Sequence, residues 1–581
     1  MPYRVVLVRP DGAPEGLLDS DPLLEVLRQA SELVALQDRV PQTDSALQSR
    51  IDTDRERMAR VLRAEGYYDG TVDIAAAPPA GEDGTRQVTV TVNAGQRYGL
   101  RSFAIDNAYP PGTAFPIAVA LDDIGIAIGD PATGEAIVGG QDRLVGVLAD
   151  RGRPLAQVVD RMVVADHAAH AVDVTLTVDA GPEATFGPVA IEGLDAVEAA
   201  LIRQRIGWRE GEPYDQAAVD ETRTTLAQLD VFGAVSIEPA TDWVDADGRL
   251  PMLVRVTERA HRTIGGGLSY ATSEGAGGQV YWQHRNLFGQ AERLELRLAG
   301  TQRLVELAAE YRDNALLADP RYTVTAGITL DRERREGYSR RSLEAATGIA
   351  YALDDEITLS GGVRLAAREV DEEERGRDRF TLVGLPLALD YDLRDDAFNP
   401  TEGGLTRLTV EPLYIAPDPS LFALRASLRQ TGYWAPLGDD GVVLAGWAEV
   451  GSIVGVARDT MPADERFYVG GGGSVRGYAY QFAGDIDDDG DPLGGQSMAA
   501  VGAEARFRFL EDFGAVLFIE GGRSFADSVP TFDRPLLWGA GAGARYFTDF
   551  GPLRLDVAVP LNRRAGVDDG FQLYISFGQA F

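Results

Sequence analysis

The stretch Ala500-Val501-Gly502-Ala503-Glu504-Ala505-Arg506-Phe507-Arg508-Phe509 decides the fold. Val501, Ala503, Ala505, Phe507 and Phe509 share one face, and Gly502, Glu504, Arg506 and Arg508 share the other. Successive side chains of a strand point to opposite sides, so this is a strand with one apolar and one charged face. Three unpaired charges on the inner side of a soluble sheet would each cost several kcal/mol (roughly 2–7 for a polar group and more for a charge), whereas a hydrated lumen tolerates them. The pattern is that of a membrane barrel, apolar towards lipid and polar within.

Neighbouring stretches repeat it. In Gly551–Pro560, Leu553, Leu555, Val557 and Val559 alternate with Arg554 and Asp556. The final stretch places Phe571, Leu573, Ile575, Phe577 and Phe581 on one face, with Gln572, Tyr574, Ser576 and Gly578 on the other. In Phe518-Ile519-Glu520-Gly521-Gly522, Glu520 shares a face with Val516 and Phe518, so alternation alone does not turn it inward. Working back to Arg262, sixteen strands are predicted. They begin near Arg262, Ala276, Ala291, Val305, Arg321, Arg341, Glu356, Asp378, Gly404, Ser420, Gly441, Ser497, Phe513, Pro535, Gly551 and Gly570. The even number suits a single-chain bacterial barrel. With the preceding domains periplasmic, odd-to-even connections are extracellular, and the sixth of these, about Gly455 to Gln496, is much the longest.

Composition narrows the function. The 581-residue chain exceeds one ordinary core. It has no cysteine, which excludes disulfides, thiolate chemistry and Cys-ligated metals. Its net charge is −35, all 55 basic residues being arginine, so nucleic acid is not an expected partner. No apolar run is long enough for a spanning helix. The start, Met1 to Val8, is too short and charged for a secretory signal and reads as a strand before the turn Asp11-Gly12; an exported chain would have lost its leader.

Before the barrel, three stretches share one order: opening strand, helical segments ending in a glycine corner, closing strand. The first spans residues 1–93, with Val5–Val8, helices near Leu23–Leu36 and Ser45–Glu65, the corner Gly66-Tyr67-Tyr68 and Val88–Val92. The second, 94–180, opens at Tyr98–Ile105, has a helix over Gly140–Gly152 and closes with Val172–Val178. The third, 181–259, runs from Phe186–Gly193 through helices Ala196–Arg205 and Asp215–Leu229 and the corner Val231-Phe232-Gly233 to Leu253–Thr257. Residues 260–581 are the barrel. Each module is expected to offer a sheet edge that an extended client could join.

The long loop contains Val475-Arg476-Gly477-Tyr478 after the glycine run 470–473. A second motif, Asp392-Leu393-Arg394-Asp395 through Asn399-Pro400-Thr401-Glu402-Gly403, falls at the turn after the eighth strand. Together with the modules, these motifs resemble the POTRA–barrel superfamily of outer-membrane assembly and secretion proteins, which includes BamA, TamA and the two-partner transporters. The resemblance implies that Arg476 folds inward and pairs with Glu504 and Glu520, and that Asp392, Arg394, Asp395, Asn399, Pro400 and Gly403 shape a periplasmic turn. Three modules, the ending Gly543–Phe581 and Asp491–Gly495 are similar to the TamA branch. That implies insertion of outer-membrane protein clients, autotransporters among them, with a TamB-like inner-membrane-anchored partner and outer-membrane lipids. The rival readings are a polypeptide export channel and an anchor for phospholipid transport.

Closure requires the first strand to meet the last. Gly265, Gly266 and Gly267 weaken the first strand's pairing, so a lateral seam is expected between Gly265–Leu268 and Phe571, Leu573, Ile575, Phe577, Gly578 and Phe581. No enzyme, metal or cofactor is expected. Asp485-x-Asp487-x-Asp489-Gly490 starts like a calcium loop but has Gln496 at position twelve, and His167 and His170 read as solvated loop residues.

Overall fold

The computed structural model describes residues 2–9, 21–79, 85–314, 316, 319–372, 376–416, 420–438, 441–510, 512–548 and 551–577. The Asp11-Gly12 turn and the seam residues Gly578 and Phe581 lie outside these, and of Phe577 only the backbone is described.

Three small sheets come first. One holds β1 (Tyr3–Val8), β2 (Thr71–Ala76) and β3 (Arg86–Asn93), with helices α1 (Pro22–Gln29), α2 (Glu32–Ala35) and α3 (Asp44–Ala64). The next holds β4 (Gly99–Asn107), β5 (Gln157–Asp166) and β6 (Ala171–Asp179) with α4 (Gly134–Asp150). The third holds β7 (Thr185–Glu192), β8 (Phe232–Pro239) and β9 (Arg249–Glu258) with α5 (Ala199–Arg205) and α6 (Gln216–Ala227). In every one the closing strand lies in the middle, in the orders β1-β3-β2, β4-β6-β5 and β7-β9-β8. Each sheet therefore has two edge strands, where the sequence suggested one.

Local sequence sets the helix boundaries. In α3, Leu47, Ile51, Met58 and Leu62 face the core, and the wholly buried Asp54 accepts from Ser31 Oγ (2.6 Å) and the Glu32 and Leu33 N–H groups (2.8 and 3.0 Å), capping α2. Helix α4 begins earlier than periodicity suggests because Thr133 caps it, its hydroxyl accepting from Ala136 N–H at 3.1 Å. Helix α5 begins later, since the N–H groups of Asp195, Ala196 and Val197 all donate to the Glu258 carboxylate instead.

One linkage recurs. Gly66, at φ +87°, accepts from the Tyr98 N–H at 2.8 Å, and Gly152, at φ +79°, accepts from the Ala184 N–H at 2.9 Å. Val231 repeats it, accepting from Arg259 N–H at 2.8 Å. Each corner thus grips the chain some thirty residues on, where the next structural unit opens. Glycine suits the first two corners because it enters the left-handed region without a Cβ clash.

Residues 262–577 form a closed antiparallel barrel. Its strands are β10 (Arg262–Ala271), β11 (Gly275–His284), β12 (Arg293–Gly300), β13 (Leu304–Asp313), β14 (Tyr322–Arg334), β15 (Tyr338–Ala352), β16 (Ile357–Glu372), β17 (Gly376–Gly384 and Leu387–Asp392), β18 (Gly403–Ala416), β19 (Leu421–Trp434), β20 (Val442–Val454), β21 (Ser497–Arg508), β22 (Phe513–Phe525), β23 (Leu537–Thr548), β24 (Gly551–Pro560) and β25 (Gln572–Phe577). All sixteen begin within three residues of the positions read from alternation. Strand β17 is one strand in two halves, because Pro386 cannot donate to the ladder. The ladder continues across the break through Gly362 N–H to Pro386 O (2.9 Å) and Leu385 N–H to Pro412 O (3.0 Å). No helix among the described residues is long and apolar enough to cross a membrane.

Alternation holds around the wall. On β22, Leu517 and Ile519 face outward, whereas Val516, Phe518 and Glu520 are buried on the inner side. Glu520 therefore does turn inward, and its apolar neighbours are inward too.

Candidate functional site

The segment between Val454 and Ser497 is built around Arg476, which is 1% exposed. Its backbone N–H donates to Glu520 Oε2 at 2.7 Å, and its Nε and Nη2 to Glu520 Oε1 at 2.9 and 2.6 Å. Nη2 also reaches Glu504 Oε2 at 3.0 Å, and Nη1 reaches Asp556 Oδ2 at 2.8 Å. The guanidinium lies 3.4 Å above the Phe518 ring centroid. Delocalised charge in a planar fork lets one arginine serve three carboxylates and an aromatic face together.

Backbone geometry delivers that fork. Gly470, Gly471 and Gly477 hold φ of +115°, +92° and +100°. Gly539 on β23 leaves the room: a Cβ there would sit 1.9 Å from the Arg476 carbonyl oxygen. Val475 and Tyr478 are fully buried beside it, with Tyr478 donating to Trp538 O at 3.2 Å and Tyr574 donating to Tyr478 O at 3.3 Å. Glu504 and Glu520, both implied by the motif, are brought together with Arg476. Asp556 was missed as a partner, although the alternation of β24 had turned it towards the lumen.

A second anchor of opposite polarity went unseen in the sequence. Asp464 and Glu465, in a short 3-10 turn of the same segment, enter a basic part of the wall. Arg368 donates to Asp464 at 2.7 Å and also to Glu465. Arg364 and Arg425 reach Glu465 at 3.2 and 3.3 Å, and Arg340 stands 3.8 Å from Asp464. Further along, Arg466 pairs with Glu372 at 2.9 Å, and Asp485 with Arg523 and Arg534 at 2.7 and 2.9 Å. Asp485, the first residue of the calcium-like stretch, is thus held by two arginines. The segment is pinned to the inner wall by charges of both signs.

The 392–403 motif is a self-braced turn. Arg394 pairs with Asp392 at 2.7 Å and donates to Ala397 O at 3.1 Å. Asp395 accepts from the N–H groups of Thr401 and Glu402 at 2.9 and 3.1 Å and from the Thr401 hydroxyl at 2.6 Å. Pro400 is buried, and Asn399 N–H is taken by Asp396 at 2.7 Å. Gly403, at φ +82°, passes so near Leu393 O that a Cβ would lie 1.8 Å away.

The seam is uneven. Strand β10 pairs with β11 over ten residues and, among the described residues, with β25 at Tyr270↔Ile575 and Ala271↔Tyr574. Thr272 extends this contact, its N–H donating to Leu573 O at 3.1 Å and its hydroxyl accepting from Leu573 N–H at 2.9 Å. Gly265, Gly266, Gly267 and Leu268 have no partner on that side among the described residues, and Leu268 is 88% exposed. The described pairing lies at Tyr270 and Ala271, two residues beyond Leu268. Phe571 precedes β25, and Leu573 and Ile575 face outward as alternation requires.

His167 and His170 are not simply solvated. His167 Nδ1 lies 2.6 Å from Asp69 Oδ1, His170 Nε2 lies 3.8 Å from Asp69 Oδ2, and Tyr98 donates to the same carboxylate at 2.7 Å. The cluster joins the glycine corner of the first module to the start of the second.

Residues 286–581 match the Omp85 superfamily domain. Relatives include the outer membrane protein assembly factor BamA of Nitratidesulfovibrio vulgaris, 23% identical over 71% of this chain and 53% of its own length. The BamA of Neorickettsia risticii is 24% identical over 88% of this chain and 70% of its own. The chain thus spans about half the length of the first of these relatives and more of the second. Among solved structures, BamA from Haemophilus ducreyi lacking POTRA domains 1–3 superposes with a TM-score of 0.67 at 16% identity, covering 83% of this chain and all of that one. CdiB from Acinetobacter baumannii gives 0.50 at 11% identity, covering 98% and 100%. These likenesses establish the same fold. The chain belongs to the Omp85 superfamily, with its barrel in the outer membrane and its POTRA-like modules in the periplasm.

Proposed function

We propose that this protein inserts other β-strand proteins into the outer membrane through the seam between β10 and β25. The observation that carries this reading is the imbalance of β10, paired over ten residues on one side and, among the described residues, two on the other. Backbone donors and acceptors along Arg262–Ser269 have no partner from β25 among the described residues, and in a membrane each unsatisfied group costs several kcal/mol, roughly 4–8 in the most apolar reference. A client strand gains those bonds by pairing there. Glycines 265–267 give this edge few side-chain contacts to hold a wrong partner.

Two features support the reading. Strand β5, an edge strand of the second module, exposes Val159, Met162, Val163 and Val164, an apolar edge suited to a strand still unfolded. The doubly anchored 455–496 segment occupies the lumen, which weighs against an open export channel. The finer assignment to the TamA branch, with a TamB-like inner-membrane-anchored partner, rests on the similarity of Gly543–Phe581 and Asp491–Gly495.

The test is reconstitution of the full chain in lipid vesicles with an unfolded outer-membrane barrel as client, read by protease protection. Insertion no faster than in empty vesicles overturns the proposal. Co-purification with or without a TamB-like protein decides the branch.

A further inference from the structure

The outer surface of the barrel carries a charged row confined to four strands. In hydrogen-bonded register, Arg332 of β14 stands beside Arg341 of β15, then Glu369 of β16, then Arg379 of β17. One rung nearer the strand ends are Arg334, Ser339, Asp371 and Arg377. All belong to the outward series of their strands, which continues on these strands through the exposed Leu330, Leu343 and Leu365. The patch thus sets five arginines against two carboxylates, on a chain whose net charge is −35.

The row's height is fixed by topology. These positions lie at the ends where β14 passes to β15 and β16 to β17, which are odd-to-even in the barrel and extracellular by the strand count. The arginines therefore stand at the outer-leaflet headgroup level. At the same rim elsewhere, the outward residues include Phe422, Leu424, Val454, Val559 and Phe571, all apolar and exposed. Snorkelling arginines alone would not be restricted to one sector.

Below the row the wall is recessed. Leu307, Leu330, Leu343, Ala367 and Thr381 make the next rung, and a hollow of about 760 Å³ opens between them and the arginines. Glu369, the one carboxylate in the row, is shared by Arg379 at 2.7 Å and by Arg341 and Arg377 at 3.7 Å each, so it orders the guanidiniums without neutralising them. Arg341 and Arg379 remain 63% and 78% exposed, and Arg332 and Arg334 form no ion pair among the described residues.

We infer that this sector binds a phosphorylated acyl glycolipid of the outer leaflet, its phosphates on Arg332, Arg341 and Arg379 and its acyl chains in the aliphatic recess. Guanidinium forks match phosphate oxygens two at a time, and the low dielectric beside lipid strengthens each contact. Apolar chains under the phosphates fit the change from charged rung to aliphatic rung within one side-chain spacing.

The test is native mass spectrometry of the full chain in detergent with diphosphorylated lipid A as probe. Expected are lipid A retained on the wild type and roughly tenfold or greater loss in the Arg332→Gln/Arg341→Gln/Arg379→Gln variant, one decade being about 1.4 kcal/mol. Fully dephosphorylated lipid A should bind as weakly to the wild type, and excess pyrophosphate should not displace the lipid. Equal retention by wild type and variant, or equal binding of dephosphorylated lipid A, overturns the inference. So does displacement by pyrophosphate, which would reduce the site to an anion patch. Should the glutamine variant fail to show heat-modifiable migration of a closed barrel, the triple Arg→Lys variant decides: intermediate loss supports two-pronged phosphate contacts, and none overturns them.

Discussion

Arg476 meets Glu520 through both backbone and side chain, its N–H donating to Oε2 and its Nε and Nη2 to Oε1. A side chain alone could swing to another carboxylate, but a bond from the main chain fixes the peptide. Glu520 therefore positions the loop backbone as well as its charge, and the glycines at 470, 471 and 477 are the conformations that make the double contact reachable.

Glu520→Ala should destabilise the anchored loop more than Glu504→Ala. Removing one member of a buried ionic network costs on the order of 3–5 kcal/mol, because the remaining charge stays desolvated. Glu504 takes one contact from Arg476 and Glu520 takes three. Protease cleavage within 455–496 on the folded barrel is the measurement, and equal susceptibility of the two variants would refute the ranking.

Gly539→Val should act on the same loop without touching any charge. A Cβ at residue 539 would meet the Arg476 carbonyl oxygen at 1.9 Å, so the loop must lift or the strand bend. Overpacking of this kind costs roughly 1–3 kcal/mol. The expected result is a protease-sensitive loop on a barrel of unchanged strand content by circular dichroism; a protected loop would show that the clash is relieved elsewhere.

The second anchor makes loop release a two-step event. Glu465 shares no partner with Arg476, its contacts being Arg364, Arg368 and Arg425. Effects of Glu465→Ala and Glu520→Ala on loop protection should therefore add within about 0.5 kcal/mol. Ion conductance through the reconstituted barrel should rise modestly in each single variant and sharply in the double one. A single variant conducting as freely as the double would mean that one anchor does not hold without the other.

Period-two patterning made the barrel legible, because a lipid-facing and a lumen-facing series must alternate on every strand. It located Glu504 and turned Asp556 inward. It could not pair them with Arg476, since that contact joins residues 80 apart through a loop with no periodicity. The same limit hid Asp464 and Glu465, ordinary acidic loop residues until Arg364 and Arg368 are seen opposite. Glu520 was ambiguous for a different reason: Val516 and Phe518 beside it are inward, packing under the Arg476 loop, so apolar no longer meant outward. His167 and His170 looked solvated because their partner Asp69 belongs to another module.

That Asp69 cluster predicts a pH-dependent junction. Hydrogen bonding from Tyr98, and next from His167, holds the Asp69 carboxyl below the usual carboxylate range. A carboxyl depressed by folding contributes fully above its unfolded value of about 4, and the contribution is lost as pH falls through the lowered value. Hydrogen exchange at the Tyr98 N–H, the donor to Gly66 O, should accelerate beyond the intrinsic pH trend below about pH 4 and not between pH 5 and 8 as far as Asp69 is concerned. Asp69→Asn should show the acidic behaviour already at neutral pH. A variant with wild-type protection would show that the Gly66–Tyr98 bond does not depend on the Asp69 carboxylate.

Locking the seam separates insertion from every passive role. Tyr270 and Ile575 are Cα partners and both outward, so a cysteine pair there faces the lipid side, where strand separation must begin. The Tyr270→Cys/Ile575→Cys variant, oxidised, should insert clients at the rate of empty vesicles, and reductant should restore the wild-type rate. Loss that persists after reduction would point to damaged folding, which heat-modifiable migration detects. An oxidised, cross-linked barrel that still inserts clients at full rate would show that the Tyr270–Ile575 contact is not the gate.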